Sequence, residues 1–304
     1  MLKKTRCDGT LIRNLPPFTV LMPYVMPTRI GSSIYFEQEI DITEAQKRLK
    51  EINRELIKRR EIVTLFDLVL CATVRAVALR PKVNRFISGK RFYQRNQIVF
   101  NFVAKRALSD DGEEVNVKVP FDPFETLYTL APKVHAYVKK AISDEGMDND
   151  RVVKTLAVLP HFVKGLVAWS LEFLDRHNLM PADMIESDPC YSSVFLANIG
   201  AFSRDTPFHH LFERGNCPVF IAMGGVEARN RLESDGSVSE RKLLRLRYSF
   251  DDRTVDGLYM CKALDYIRLF IEDPAKLETP PELSPELLAE LNLRAEAPRG
   301  SSGD

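Results

Sequence analysis

The stretch that decides the fold lies near the C-terminus: residues 244–277, LRLRYSFDDRTVDGLYMCKALDYIRLFIEDPAKL. It opens as a strand and continues, from Leu258 to Ile271, as a helix that closes before Pro274. Between the two, Asp251-Asp252-Arg253-Thr254-Val255-Asp256-Gly257 puts three carboxylates and a guanidinium into seven residues. That is too much charge for a simple turn. Arg253 is expected to pair with Asp256, its planar fork fixing the loop. Composition leaves two readings open, a structural ion pair and a catalytic loop in which crowded carboxylates raise one another's pKa.

Upstream, Ser193 to Ala197, Val219 to Met223 and Leu243 to Phe250 read as strands. Residues 83–123 read as a meander with turns at Ser88-Gly89-Lys90 and Arg95-Asn96 and a strand from Ile98 to Ala104. Nearer the N-terminus, Ile34 to Asp41 alternates apolar and polar like a half-buried strand. Thr43 is expected to cap a helix with apolar Leu49, Ile52 and Leu56. The more apolar helix Leu65 to Leu79 reads as buried and stops before Pro81. An amphipathic helix spans Thr126 to Ile142, and a polar break runs from Ser143 to Asp150.

The apolar region Arg151 to Leu179, interrupted at Pro160, carries Leu159, Phe162, Val163, Leu166, Trp169 and Leu171. It reads as core, with a membrane-surface or partner-binding helix as the alternative. Residues 1–17 read as an N-terminal arm ending in Pro16-Pro17, residues 18–277 as one domain, and residues 278–304 as a polar tail with a short helix from Pro285 to Leu293. Strands and helices mix without strict βαβ alternation, which leaves an α+β fold, a two-layer sandwich with a mixed sheet.

Composition excludes several classes. Lys+Arg 43 against Asp+Glu 42 leaves +1 over 304 residues, so no global field favours nucleic acid or anionic lipid. The five cysteines are scattered without a C-x-x-C pair, against a disulfide framework or a thiolate metal site. Neither a secretory leader nor a spanning helix is legible, and a cytoplasmic location is expected.

The 251–257 segment resembles the D-H-R-x-x-D-G signature of the acyltransferase components of 2-oxo-acid dehydrogenase complexes, and more distantly the H-H-x-x-x-D-G of chloramphenicol acetyltransferases. Ser193-Val-Phe-Leu-Ala-Asn-Ile-Gly-Ala-Phe and Asn216-Cys-Pro-Val-Phe-Ile-Ala-Met-Gly resemble two further strands of that family. The similarity spans about residues 18–277 and is strongest in the last third. It implies a chloramphenicol acetyltransferase-like trimer, with coenzyme A and the acyl acceptor entering an intersubunit tunnel from opposite ends. In the family a histidine takes the acceptor's proton, and a serine or threonine hydroxyl supports the oxyanion.

Both positions depart from that pattern. Matching Arg253, Asp256 and Gly257 puts Asp252 where the family has histidine, and matching Asn198 and Gly200 puts Ala197 where it has the hydroxyl. Ser193 or Ser192 would supply the hydroxyl if the strand register shifts, and His210 or His209 would supply a relocated base. Arg91 and Arg95 of the basic hairpin are candidates for a coenzyme A phosphate, against the plainer reading of a solvated turn. The implied activity is acyl transfer between coenzyme A and an unidentified acceptor, with Asp252 in place of the histidine. The alternative is a catalytically inactive acyl-CoA binder or assembly partner. A chloramphenicol-type resistance enzyme is disfavoured, since that chemistry also needs the missing histidine. No metal and no attached lipoyl group are expected.

Overall fold

The computed structural model describes residues 6–106, 112, 114–143, 158–200, 202–203 and 205–294. Six strands form a mixed sheet: β2 (Ser33–Asp41), β9 (Val238–Asp251), β8 (Val219–Leu232), β7 (Val194–Asn198), β5 (Ile98–Lys105) and β6 (Glu114–Phe121), in that spatial order. β7 runs parallel to both neighbours, and the other pairs are antiparallel. Side chains of a strand alternate between faces. Leu244, Leu246, Tyr248 and Phe250 of β9 are therefore all buried in one core, together with Val194 and Leu196 of β7.

That core is closed by α2 (Thr43–Leu56), α3 (Leu65–Leu79), α4 (Leu127–Ser143) and α7 (Gly257–Glu272). The result is the expected α+β arrangement of helices on one face of a mixed sheet. α3 is its centre: every residue from Asp67 to Ala78 is buried, and Thr64 and Asp67 form a reciprocal capping box. α2 differs in one detail from its sequence reading. Thr43 is the first helical residue and makes no cap; its hydroxyl donates to Asp41 and accepts from the Lys242 backbone N–H.

The meander resolves into two sheets. β3 (Arg85–Ser88) and β4 (Arg91–Arg95) pair with each other and with β1 (Gly9–Leu11) in a small separate sheet. The expected arm is thus held down from residue 6 onward. Arg6 and Asp8 are buried and paired, and Arg6 also reaches Asp175 and Ser88. The tail is also docked. Glu278 takes two hydrogen bonds from Arg48, and Leu291 of the C-terminal helix α8 (Pro285–Leu291) is fully buried.

The largest departure is the helix α5 (His161–Arg176), which was expected to be core. It has no buried residue, and Phe162, Leu166, Trp169 and Phe173 are 44 to 78% exposed. Residues 144–157, the polar break and the start of this region, lie outside the described residues. The short α6 (Ala182–Ser187) leads from α5 towards β7.

Candidate active site

β9 delivers Asp251 at its last position, and α7 begins at Gly257, so the charged loop bridges a strand end and a helix start. Arg253 does not pair with Asp256. Its Nε and Nη2 each donate to a carboxylate oxygen of Asp251 at 2.7 Å, while Nη1 donates to the Met26 carbonyl at 2.9 Å. Asp251 and Arg253 are both buried, and the Arg29 guanidinium lies 3.8 Å from the same carboxylate. A fork on a carboxylate two residues away closes the loop into a tight ring, which Thr254 completes by donating both its N–H and its hydroxyl to the Asp251 carbonyl.

Asp256 has a local job instead: exposed, it caps α7 by accepting the Tyr259 N–H at 2.9 Å. A methyl group built on Gly257 would meet no atom within 4 Å, so packing within the chain does not demand glycine there. Asp252 sits between the braced residues, half-buried, its N–H donated to the Ser32 carbonyl at 2.9 Å. Burial, then the neighbouring Asp251 charge, pushes the Asp252 carboxyl above the ordinary range for an aspartate.

Arg253 also lines the wall of an open groove of about 980 Å³. Its other walls are the helix α1 (Pro17–Val25), through Pro23 and Tyr24, the β3–β4 turn at Gly89-Lys90-Arg91, and α5, through Ala168 and Leu171. Gly89 has a positive φ of 55°, and a Cβ there would collide with the Arg176 carbonyl, so the turn can lie close against the end of α5. Six cationic side chains and three carboxylates line the groove, and Asp251, which faces Arg253 and Arg29, and Asp188, which pairs with Arg214, neutralise further charge from just behind its wall.

Residues 188–279 match the family model described as 2-oxoacid dehydrogenases acyltransferase (catalytic domain). The structure is similar to the cubic core of a pyruvate dehydrogenase multienzyme complex, at 14% identity and TM-score 0.55, over 88% of this chain and 93% of that one. This is an acyltransferase-core fold. It is also similar to the dihydrolipoamide acetyltransferase of Azotobacter vinelandii (15% identity, TM-score 0.51, 88% of this chain and 93% of that one). A chloramphenicol acetyltransferase gives 13% identity and TM-score 0.52, over 87% and 98% of the two chains. At these identities the likeness is one of fold. No curated protein matches the sequence.

Within this fold, the remaining candidate residues separate. Ser193 is buried at the start of β7, where its hydroxyl accepts the Val99 N–H at 3.0 Å, and Ser192 is buried with its hydroxyl on the Pro189 carbonyl. Both stand ahead of β7, in which Phe195 is opposite Phe220, Ala197 opposite Ala222 and Asn198 opposite Met223. The serines stitch a parallel strand start instead of lining the groove. Ala197 packs with Phe195 and Phe220 in a small cluster on the face of the sheet away from the helices.

His209 and His210 lie over that same face. The His209 ring stacks on Phe220 at 3.9 Å, and its carbonyl accepts the Ser249 hydroxyl. Burial pushes the His209 imidazole below its ordinary value. His210 is exposed, with Nδ1 2.8 Å from the Leu211 carbonyl. The ring contacts of both histidines are to their own loop and to Phe220, and none is to Asp252.

The two arginines of the hairpin also part company. Arg91 lines the groove and donates to the Arg176 carbonyl. Arg95 is fully buried, donating to Asn216 Oδ1 at 2.6 Å and lying 3.8 Å from Asp8, so it is removed from the phosphate-binding candidates. The sequence reading missed Asp251 as the loop's brace, together with Lys90 and Arg29 in the groove. The signal for Asp251 was available, because a carboxylate at the last position of a buried strand needs a cation.

No helix among the described residues is long and apolar enough to cross a membrane. Among the same residues, no group of three or more metal-ligating side chains comes together.

Proposed function

We propose that residues 18–277 form an acyltransferase unit that moves an acyl group between coenzyme A and a nucleophilic acceptor, with Asp252 as the base and the coenzyme A ester held in the groove beside Arg253. The observation that carries this reading is the braced loop. A buried Asp251–Arg253 fork holds the adjoining Asp252, whose carboxyl has been made more basic by burial and by Asp251. In the Azotobacter enzyme a histidine and an asparagine four residues apart have been studied for their role in the catalytic mechanism. Asp252 and Asp256 have that spacing.

In the transfer step the acceptor's X–H attacks the thioester carbonyl carbon, and Asp252 takes the proton. The carbon–sulfur bond of the tetrahedral intermediate then breaks, and the thiolate leaves with the proton that Asp252 returns. The raised carboxylate lies closer to the working pH than an ordinary aspartate would, which is what a general base requires. The homotrimer implied by the resemblance belongs to the same proposal.

Arg91 and Lys90 are the groove's candidates for the phosphates of coenzyme A. One charge-assisted contact at a part-exposed site contributes roughly 1–1.5 kcal/mol. Arg91→Ala is therefore expected to weaken acetyl-CoA binding about five- to tenfold in titration calorimetry. Unchanged affinity would place the phosphates elsewhere.

The second reading, a non-catalytic acyl-CoA binder, is favoured by one observation. Ala197 supplies no hydroxyl, and both nearby serines are committed to backbone. Loss of one oxyanion donor typically costs about 10²–10³ in rate. Turnover of acetyl-CoA with small thiols and amines separates the two: binding without measurable transfer decides for the binder.

A further inference from the structure

The charged groups of the groove's inner wall are committed to the fold. Arg253 forks onto Asp251, Arg214 pairs with Asp188, and Asp175 with Arg6 and Ser88. Arg29 donates to the carbonyls of Phe212, Glu213 and Gly215. Tyr191 differs from all of these. It lines the same groove and is only 4% exposed, yet its hydroxyl makes no hydrogen bond among the described residues. The backbone around it is fixed: the Tyr191 N–H donates to the Asp188 carbonyl at 3.2 Å, and the Cys190 carbonyl accepts the N–H groups of Asn216 and Cys217. A buried tyrosine ordinarily finds a partner for its hydroxyl, because an unmade bond leaves a polar group desolvated for nothing. At Tyr191 that partner can enter only from the groove.

The surrounding charge selects what that partner is. Burial, then Asp175 and Asp188, push the Tyr191 phenol above its ordinary value, and Arg6 and Arg214 oppose them less strongly. The hydroxyl therefore stays protonated, a donor in a locally negative field. A phosphate or carboxylate oxygen is repelled there, whereas a neutral carbonyl can accept. We propose that Tyr191 is the groove's specificity-determining hydroxyl, donating to an amide carbonyl of the bound thioester carrier and favouring amide-bearing ligands over purely anionic ones. The inference rests on the acyl-CoA reading given above. Coenzyme A keeps its phosphates and its two amides in separate halves, and the groove offers a group to each: Lys90 and Arg91 at the β3–β4 turn, Tyr191 on the inner wall. A site built to hydrogen-bond a ligand discriminates against one that cannot answer the bond, since the protein's own group is then left unpaired.

Tyr191→Phe removes one oxygen and keeps the ring, so it tests the hydroxyl alone. Full-length wild type and variant are titrated by calorimetry with acetyl-CoA and with adenosine 3′,5′-bisphosphate, which carries phosphates but no amide. The expected result is an acetyl-CoA affinity about five- to tenfold weaker in the variant, the loss of one neutral hydrogen bond, with the nucleotide's affinity unchanged. The melting temperature of the free protein should hold or rise, because the hydroxyl has no bond in the fold to lose. A clear fall in melting temperature would show that the hydroxyl serves the fold, and overturns the proposal. Equal weakening of both ligands also overturns it, since the effect would then not follow the amide. Wild type that binds acetyl-CoA while Tyr191→Phe binds it equally well removes Tyr191 from recognition and leaves the acyl-transfer reading standing. Wild type that binds no acetyl-CoA removes both.

Discussion

Asp251→Asn is expected to destabilise the protein by about 3–5 kcal/mol, because it leaves two buried guanidiniums, those of Arg253 and Arg29, facing a neutral amide. The substitution is isosteric, so no cavity contributes and the effect is one of lost charge. In urea the midpoint should fall with an unchanged slope. Asp256→Asn is the control. It sits in the same loop with the same change of charge, but Asn caps a helix about as well as Asp, so the expected cost is under roughly 0.5 kcal/mol. Equal effects from the two would mean that the fork on Asp251 does not brace the loop.

Asp252→Asn is expected to lower transfer from acetyl-CoA by about 10²–10⁴, the range general-base catalysis supplies, with acetyl-CoA affinity kept. The pH profile gives a second readout with a definite sign. A carboxylate base works when deprotonated, so turnover should rise with pH through the Asp252 pKa. Burial and Asp251 place that limb above the ordinary aspartate value of about 3.9. Asp252→His should move the limb towards about 6.5. His210→Ala should leave turnover and profile alone, since among the described residues its ring contacts are to its own loop. A wild-type profile governed by His210, with Asp252→Asn silent, would overturn the assignment.

The sheet and its helical layer were legible because their periodicities are clean. α3 is a long apolar run between a capping box and a proline, and β7 and the inner half of β8 are apolar runs bounded by turn residues. The outer half of the β8–β9 hairpin was missed for the opposite reason. From Glu227 to Leu232 and from Val238 to Lys242 the strands project with most side chains exposed, and pairings such as Arg229–Glu39 and Arg241–Glu233 replace an apolar pattern. α5 misled because spacing shows that a stripe is apolar but not that anything covers it. In the loop, sequence proximity suggested Asp256 for Arg253, whereas burial chose Asp251, the carboxylate that could not remain unpaired. Ser193 lies four residues ahead of Ala197, and its commitment to the Val99 N–H is a long-range contact that no local pattern reveals.

The order in which the sheet is assembled has a consequence for synthesis. Among the described residues β2 hydrogen-bonds to no strand but β9, and about 200 residues separate Asp41 from Val238. At ~5–20 residues per second on the ribosome, the first strand of the large sheet waits roughly 10–40 s for its sole partner to be made. During that time it is an open edge, able to recruit the same strand of a neighbouring nascent chain. Glu37, Glu39 and Asp41 line one side of β2, and the arginines that neutralise them in the finished sheet, Arg229, Arg241, Arg245 and Arg247, all arrive with the hairpin. Until then, two copies of β2 meeting on a polysome repel one another. The ladder of ion pairs on the completed surface thus closes only once the hairpin has been made.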